Sequence, residues 1–332
     1  MIDIVKIKNL KVTYKMKKMD LQAVDDVTLD IKAGKITAIV GESGSGKTTL
    51  ANSILNILSS PGEITGGEVL FLSDDKVIEV TALNHKELNA FRWKEVSMVF
   101  QGAQSSLNPV VNIFDHFVET YQVHHHKMTK KQAREEVRPI VEDLLRLVNL
   151  NPDRILEMYP HELSGGMKQR VMIAFSMILN PKLIILDEPT TALDVIVQNY
   201  IFNLLRKINR EKNIGMLLLT HDIGVVAQFS DYVAVMYGGK LMEYGSVMDV
   251  FNKRLNPYTK GLICATPSLI TDINDMKPIP GNPPDITMLP SGCVFHPRCE
   301  ACMNKCMEKE PKSININEHI VKCHLYDEEK CE

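Results

Sequence analysis

Apolar and polar positions alternate from the first residues. Ile2, Ile4 and Ile7, then Leu10, Val12 and Tyr14, predict a strand over residues 1–14. Residues 24–31 (VDDVTLDI) alternate again, and Ala33-Gly34 marks a turn. The run KITAIV at 35–40 is almost wholly apolar, as in a parallel strand buried on both faces. A glycine-rich turn follows, and then a helix begins near Lys47. Leu50, Ile54 and Leu58 form its apolar stripe, and Ser60-Pro61-Gly62 is its expected end. EVLFL and KVIEV, within 66–80, predict hairpin strands. From about 102 to 180 the chain reads as mainly helical, with a polar helix at 129–149 that Pro139 is expected to kink or break. Strand patterns return at LIIL (183–186), MLLLT (216–220) and YVAVM (232–236), with a helix at about 195–211 between the first two. Gly238-Gly239 reads as a hairpin turn. Strands alternating with helices imply an α/β fold built on a parallel sheet. After about 255 the periodicity fades, and five prolines in 271–292 suggest an extended linker.

Composition narrows the class. The chain has 332 residues, enough for one large domain or roughly two. Hydrophobic residues at 45% and charged residues at 24% exclude global disorder. A net charge of −3 argues against a general nucleic-acid binder, which needs excess Lys and Arg to neutralise phosphates. No apolar run approaches the ~18–20 residues that span a bilayer, and the N-terminus lacks a signal-peptide apolar region. A cytoplasmic chain that docks on a membrane protein fits these limits. The seven cysteines (Cys264, Cys293, Cys299, Cys302, Cys306, Cys323 and Cys331) all follow residue 263. A disulfide scaffold would staple the whole of a small secreted chain, so this clustering points to a local metal or redox site. His124-His125-His126 is internal and reads as a polar loop or helix face.

Three motifs carry chemistry. Gly41-Glu42-Ser43-Gly44-Ser45-Gly46-Lys47-Thr48 fits G-x-x-x-x-G-K-[ST] between a strand and a helix. Its glycines let backbone N–H groups wrap a phosphate, and the helix N-terminus adds partial positive charge. Lys47 reaches β- and γ-phosphates, and Thr48 offers a hydroxyl to Mg²⁺. In LIILDE, Asp187 and Glu188 emerge at the C-terminal end of a buried strand, where α/β sheets bind ligands. Asp187 can hold the Mg²⁺ shell, and Glu188 can act as general base toward water. Leu163-Ser164-Gly165-Gly166 opens a helix and offers a second anion-binding N-terminus.

Together these motifs resemble the ATP-binding subunit of an ABC transporter, a P-loop NTPase, over about residues 1–260. The resemblance implies ATP and Mg²⁺ as cofactors and a head-to-tail dimer. Each ATP then lies between one subunit's phosphate loop and the other's signature (Ser164, Gly165, Gly166). Gln101 matches the Q-loop glutamine, His221 the switch histidine, and Ala192-Leu193-Asp194 the D-loop. Tyr14 stands where the family stacks an aromatic on adenine. The expected catalytic set is therefore Glu188, His221 and Gln101. The expected ATP ligands are Tyr14, Gly41, Ser43, Gly44, Ser45, Gly46, Lys47, Thr48, Thr49, Ser164, Gly165, Gly166 and Asp194. Mg²⁺ is expected on Thr48, Gln101 and Asp187.

The tail narrows the branch. Cys293-x₅-Cys299-x₆-Cys306-x₁₆-Cys323 allows zinc, with help from His296 or His324, or an iron–sulfur cluster. Asn256-Pro257-Tyr258-Thr259, Ile279 to Asp285, and Gly292 to Cys299 resemble the C-terminal extension of oligopeptide/dipeptide importer ATP-binding subunits, as does Ser106-Leu107-Asn108-Pro109. That resemblance implies a [4Fe–4S] cluster on Cys293, Cys299, Cys306 and Cys323, with Cys302 outside the pattern. It also implies an ATPase that powers peptide import from the cytoplasmic face of the membrane. Its partners would be a second ATP-binding subunit, two transmembrane permease subunits and an extracytoplasmic peptide-binding protein. Nickel or sugar cargo, and a soluble non-transport ABC ATPase, are the alternatives. The expected division is a nucleotide-binding domain at 1–255, with a helical subdomain at about 102–180, and a C-terminal extension at 256–332.

Overall fold

The computed structural model describes residues 2–17, 19–73, 76–102, 106–191, 193–265 and 278–327. Ala192, Cys331 and the 271–277 part of the expected linker lie outside the described residues. The chain forms two compact units, one of residues 1–83 and 217–332, the other of residues 84–216.

The first unit opens with β1 (Asp3–Lys15), β2 (Asp20–Lys32), β3 (Ile36–Val40), α1 (Lys47–Ile54), β4 (Gly62–Ser73) and β5 (Lys76–Glu79). The second unit contains α2 (His85–Phe91), β6 (Val96–Val99), α3 (Ile113–His124), α4 (Lys130–Leu147), α5 (Pro152–Ile155), α6 (Gly165–Ser176), β7 (Leu183–Asp187) and α7 (Val195–Lys212). β8 (Gly215–Leu219) carries the chain back. The first unit resumes with α8 (Ile223–Phe229), β9 (Tyr232–Tyr237), β10 (Lys240–Ser246), α9 (Val247–Lys253) and α10 (Pro257–Cys264). It closes with α11 (Asn304–Glu308), β11 (Ser313–Ile316) and β12 (His319–Lys322).

In the first unit, β2-β1-β4-β5 form an antiparallel sheet. The apolar alternation of β1 changes phase midway, from Val5 and Ile7 to Leu10 and Val12, all fully buried. The cause is a bulge. Asn9 takes a left-handed φ of 47°, and the register shifts on both neighbouring strands. The extra residue returns Leu10 and Val12 to the core face. A second run of strands in this unit has the order β11-β12-β10-β9-β3-β8, with β3 parallel to β9. Gly238 and Gly239 take φ of 53° and 79°, as a two-residue hairpin between β9 and β10 requires. In the second unit β6 and β7 pair in parallel.

Two sequence expectations change. α1 stops at Ile54, well before Pro61, because Asn56 adopts a left-handed φ of 49° just past the helix. The Asn56 N–H then donates to the Ser53 carbonyl (3.1 Å), and the Ile57 N–H to that of Asn52 (3.0 Å), a Schellman closure. Pro139 does not break α4, which runs unbroken from Lys130 to Leu147. Pro139 is on the exposed side, so the carbonyl that its missing N–H leaves without an intrahelical partner can turn to water.

The C-terminal residues share the first unit's core. Tyr237, Tyr258 and Phe295 pack as a trio with ring centroids 4.6–5.2 Å apart. Ala38, Val40 and Val294 belong to the same cluster. A buried carboxylate joins these parts. Glu243 on β10 accepts from the backbone N–H groups of Leu255 and Asn256 (both 3.0 Å) and from His319 Nε2 (2.7 Å). Asn256 Nδ2 donates to the Lys322 carbonyl at 3.0 Å. Glu243→Ala is expected to destabilise the protein by about 3 kcal/mol, because it strands buried donors. Chemical denaturation of wild type and variant measures this, and an unchanged midpoint would remove Glu243 from that role.

Candidate functional site

In the first unit the phosphate loop lies between β3 and α1. Gly44 and Gly46 take φ of 78° and 95°, and Gly46 is the left-handed cap before Lys47. A Cβ at Gly41 would stand 2.1 Å from the Met236 carbonyl oxygen, and one at Gly46 would stand 2.4 Å from that of Ala23. Only glycine fits either place. Lys47 Nζ donates to the carbonyls of Gly41 (2.7 Å) and Glu42 (3.0 Å), and lies 3.4 Å from Ser45 Oγ. Ser43, Gly44 and Thr48 are exposed, and Thr49 is half-buried. His221 is exposed just after β8, followed by the α8 cap Asp222, which accepts from the Val225 N–H at 3.1 Å. Tyr14 lies on β1 opposite Gly62, whose absent side chain makes room for the Tyr14 ring.

In the second unit Asp187 ends β7 and is buried, and Glu188 follows it half-buried. Gln101 Nε2 and Thr191 Oγ1 both donate to Glu188 Oε2 at 3.0 Å. Glu188 carries a left-handed φ of 46°, and the Thr191 N–H bonds its carbonyl at 3.2 Å. Gln101 and Glu188 are 87 residues apart in sequence, and the fold brings them together. Ser164 caps α6, accepting from the Met167 N–H at 3.4 Å. Asp194 caps α7, accepting from the Val197 N–H at 2.9 Å. A Cβ on Gly166 would meet Val197 Cγ1 at 3.1 Å, so the first turns of α6 and α7 are neighbours. Beside Asp194, Val195 and Ile196 are 70% and 82% exposed.

Back in the first unit, Cys293, Cys299, Cys306 and Cys323 line one small cavity with Met242, Phe295 and other residues. Burial pushes the Cys293 and Cys323 thiols up to about 11. Cys302 is exposed and does not line the cavity. His324 has both ring nitrogens engaged, with Asp327 and the Lys309 carbonyl (2.8 Å each). Four thiols around one largely apolar cavity suit a soft metal centre. Among the described residues, however, no three His, Cys, Asp or Glu side chains approach closely enough to form a ready metal site.

The sequence reading missed Thr191 as a partner of Glu188. It also missed Arg298 and Tyr258, which reach Glu42 of the phosphate loop from more than 200 residues away. Such separations leave no local signal.

A phosphate loop after a buried strand and paired carboxylates at the end of another define a P-loop ATPase cassette. The comparisons agree. The ABC transporter family matches residues 24–191, and the oligopeptide/dipeptide transporter C-terminal region matches residues 242–306. The chain belongs to the ABC transporter ATPase family. It is 42% identical to the dipeptide transport ATP-binding protein DppD of Caldanaerobacter subterraneus, over 98% of both chains. It is also 42% identical to the oligopeptide transport ATP-binding protein OppD of Salmonella typhimurium, over 93% of this chain and 89% of that one. A dimeric, post-hydrolysis structure of the ATP-binding cassette MJ0796 with ADP and Pi superposes with a TM-score of 0.62. That match has 32% identity and covers 74% of this chain and 99% of the cassette.

The ammonium of Lys47 is already turned into the loop, so Lys47→Ala is expected to weaken ATP binding by about 100-fold, as loss of a charge-assisted phosphate contact of about 3 kcal/mol. Titration with a fluorescent ATP analogue measures it. Unchanged affinity would contradict the assignment of this loop to phosphate.

Proposed function

We propose that this chain is the ATP-hydrolysing subunit of a membrane importer of di- and oligopeptides. The observation that carries the chemistry is the Glu188 carboxylate, held beside Gln101 and Thr191 at the end of β7. The peptide cargo rests on the match over 242–306 and on the peptide-transport relatives.

In this reading the amides of Gly41 to Lys47, with Ser43, Ser45, Thr48 and Thr49, cradle the phosphates, Lys47 neutralises them, and Tyr14 stacks on adenine. Thr48, Gln101 and Asp187 are the residues that would hold Mg²⁺, which would neutralise charge on the phosphate oxygens. Glu188 accepts the proton of the attacking water, and His221 donates to the γ-phosphate oxygen. Ser164, Gly165, Gly166 and Asp194 serve a second cassette in a head-to-tail dimer. The exposed apolar pair Val195 and Ile196 beside Asp194 supports such a partner, since large apolar side chains in water favour an interface. Val110, 78% exposed a few residues past Gln101, supports a contact with permease subunits. No helix among the described residues is long and apolar enough to cross a membrane. The chain is then peripheral on the cytoplasmic face, with 1–255 as nucleotide-binding domain, about 102–180 as its helical subdomain, and 256–332 as extension.

We assign a [4Fe–4S] cluster to Cys293, Cys299, Cys306 and Cys323. The support is their common cavity and the position of Cys302 outside it. Such a cluster would supply folding free energy to a segment with a small core.

Glu188→Gln is expected to retain ATP binding and to cut turnover by about 100-fold or more, the scale of general-base loss. Phosphate release assays decide this, and near-wild-type turnover removes Glu188 as the base. Protein purified without oxygen is expected to carry about four iron and four sulfide per chain, with broad absorption near 400 nm. Stoichiometric zinc without sulfide would overturn the cluster and leave the ATPase reading standing.

A further inference from the structure

Two side chains of the C-terminal extension, Tyr258 and Arg298, reach Glu42 of the phosphate loop. Arg298 precedes Cys299, and its guanidinium donates to both carboxylate oxygens of Glu42, Nη1 to Oε2 at 2.7 Å and Nη2 to Oε1 at 3.0 Å. This is the parallel fork that arginine makes best. Glu42 is the second residue of the loop, and its other polar groups are engaged as well. Its N–H donates to Tyr258 Oη at 3.0 Å, and its carbonyl accepts from Lys47 Nζ at 3.0 Å.

The arginine is itself fixed. It is only 8% exposed. Nε donates to the Pro280 carbonyl at 2.8 Å, Nη1 lies 3.1 Å from Tyr237 Oη, and the guanidinium sits over the Tyr237 ring at 5.7 Å. Its backbone N–H bonds the Phe295 carbonyl at 3.0 Å, within the turn that carries Cys293 and Cys299. A fork held on so many sides does not follow Glu42; Glu42 follows it. The charges add a second effect. Glu42 brings a carboxylate into a loop suited to a polyanion, and Arg298 neutralises it.

We propose that Arg298 is a positioning residue of the nucleotide site, which fixes and neutralises Glu42 so that the phosphate loop is preset for ATP. The C-terminal segment is then part of the ATP site, and a disturbance of its cysteine-bearing turn reaches the loop through Arg298. The inference rests on residues 41–48 being the nucleotide loop, which Lys47→Ala tests separately.

The experiment is a double-mutant cycle on the full chain, with Arg298→Gln, Glu42→Gln and the pair, read as KM for ATP, kcat and direct binding of a fluorescent ATP analogue. Arg298→Gln leaves an unneutralised carboxylate in the loop and is expected to raise KM by about tenfold with kcat changed less than about twofold. Removing Glu42 as well is expected to return KM to within about threefold of wild type, because the offending charge is gone. A structural staple would not behave so, since the double variant would stay as impaired as Arg298→Gln. That result, or a wild-type KM in Arg298→Gln, overturns the proposal. Should Arg298→Gln fail to fold, Arg298→Lys keeps the neutralising charge but loses the fork; its KM is expected to stay within about threefold of wild type, and a tenfold rise there overturns the neutralising role. If Lys47→Ala binds ATP normally, it is the loop assignment that fails. If Lys47→Ala loses binding while Arg298→Gln does not, only the role of Arg298 fails.

Discussion

The backbone of residues 41–47 turns where a side chain has no room, and much of the first unit is arranged around that turn. Gly41 lies against the Met236 carbonyl of β9, and Gly46 against the Ala23 carbonyl of β2. The loop is therefore wedged between a strand of each sheet. The β9–β10 hairpin locks the wedge, because the Gly239 N–H donates to the Ser45 carbonyl at 3.2 Å and the Asp25 N–H to the Gly239 carbonyl at 2.9 Å. These close approaches leave the loop little freedom to collapse. A loop that must present several N–H groups to one anion gains from such rigidity, since ordering it on binding would cost conformational entropy.

The second unit carries backbone strain at its carboxylate pair. A non-glycine residue in the left-handed region costs on the order of 1 kcal/mol, and Glu188 is such a residue. Thr191 holds the conformation from both the backbone and the side chain of Glu188, and Gln101 holds the carboxylate. The turn that this φ produces puts the Glu188 side chain off the line of β7, so Asp187 stays buried while Glu188 is partly open. Two adjacent carboxylates thereby acquire different surroundings, as the proposed roles of metal ligand and base demand.

What could be read from sequence was what is local. The strand–loop–helix around Lys47, the acidic end of β7 and the Ser164 cap are short-range patterns, and the elements fall where the alternation puts them. Pro139 misled because propensity ignores which side of a helix faces water, and α4 leaves that residue exposed. The bulge at Asn9 was visible only as a phase change in β1, not as a turn. Long-range polar contacts left no trace. Nothing near Arg298 names Glu42, 256 residues earlier, and nothing near Glu243 names His319. The family resemblance singled out four cysteines and set Cys302 apart; the fold adds that those four line one cavity and that Cys302 does not.

The C-terminal segment is held less by its own core than by buried polar links to the sheet. Among residues 256–265 and 278–327, its buried apolar side chains include Tyr258, Val294, Phe295, Cys306 and Val321. Against them stand Glu243 with His319, Asn256 with Lys322, and Lys240 with Glu310, each joining β10 or the chain just after it to a residue beyond 300. Polar links of this kind contribute little net stability when intact and cost heavily when broken. They therefore fix where the segment sits more than how strongly it folds. Burial holds the Cys293 and Cys323 thiols protonated near neutral pH, and a bound metal would reverse that preference. A segment positioned by directional contacts, with the aromatic ring of Phe295 between Tyr237 and Tyr258, can carry Arg298 to Glu42 reproducibly. One held by a greasy patch alone would have room to slide.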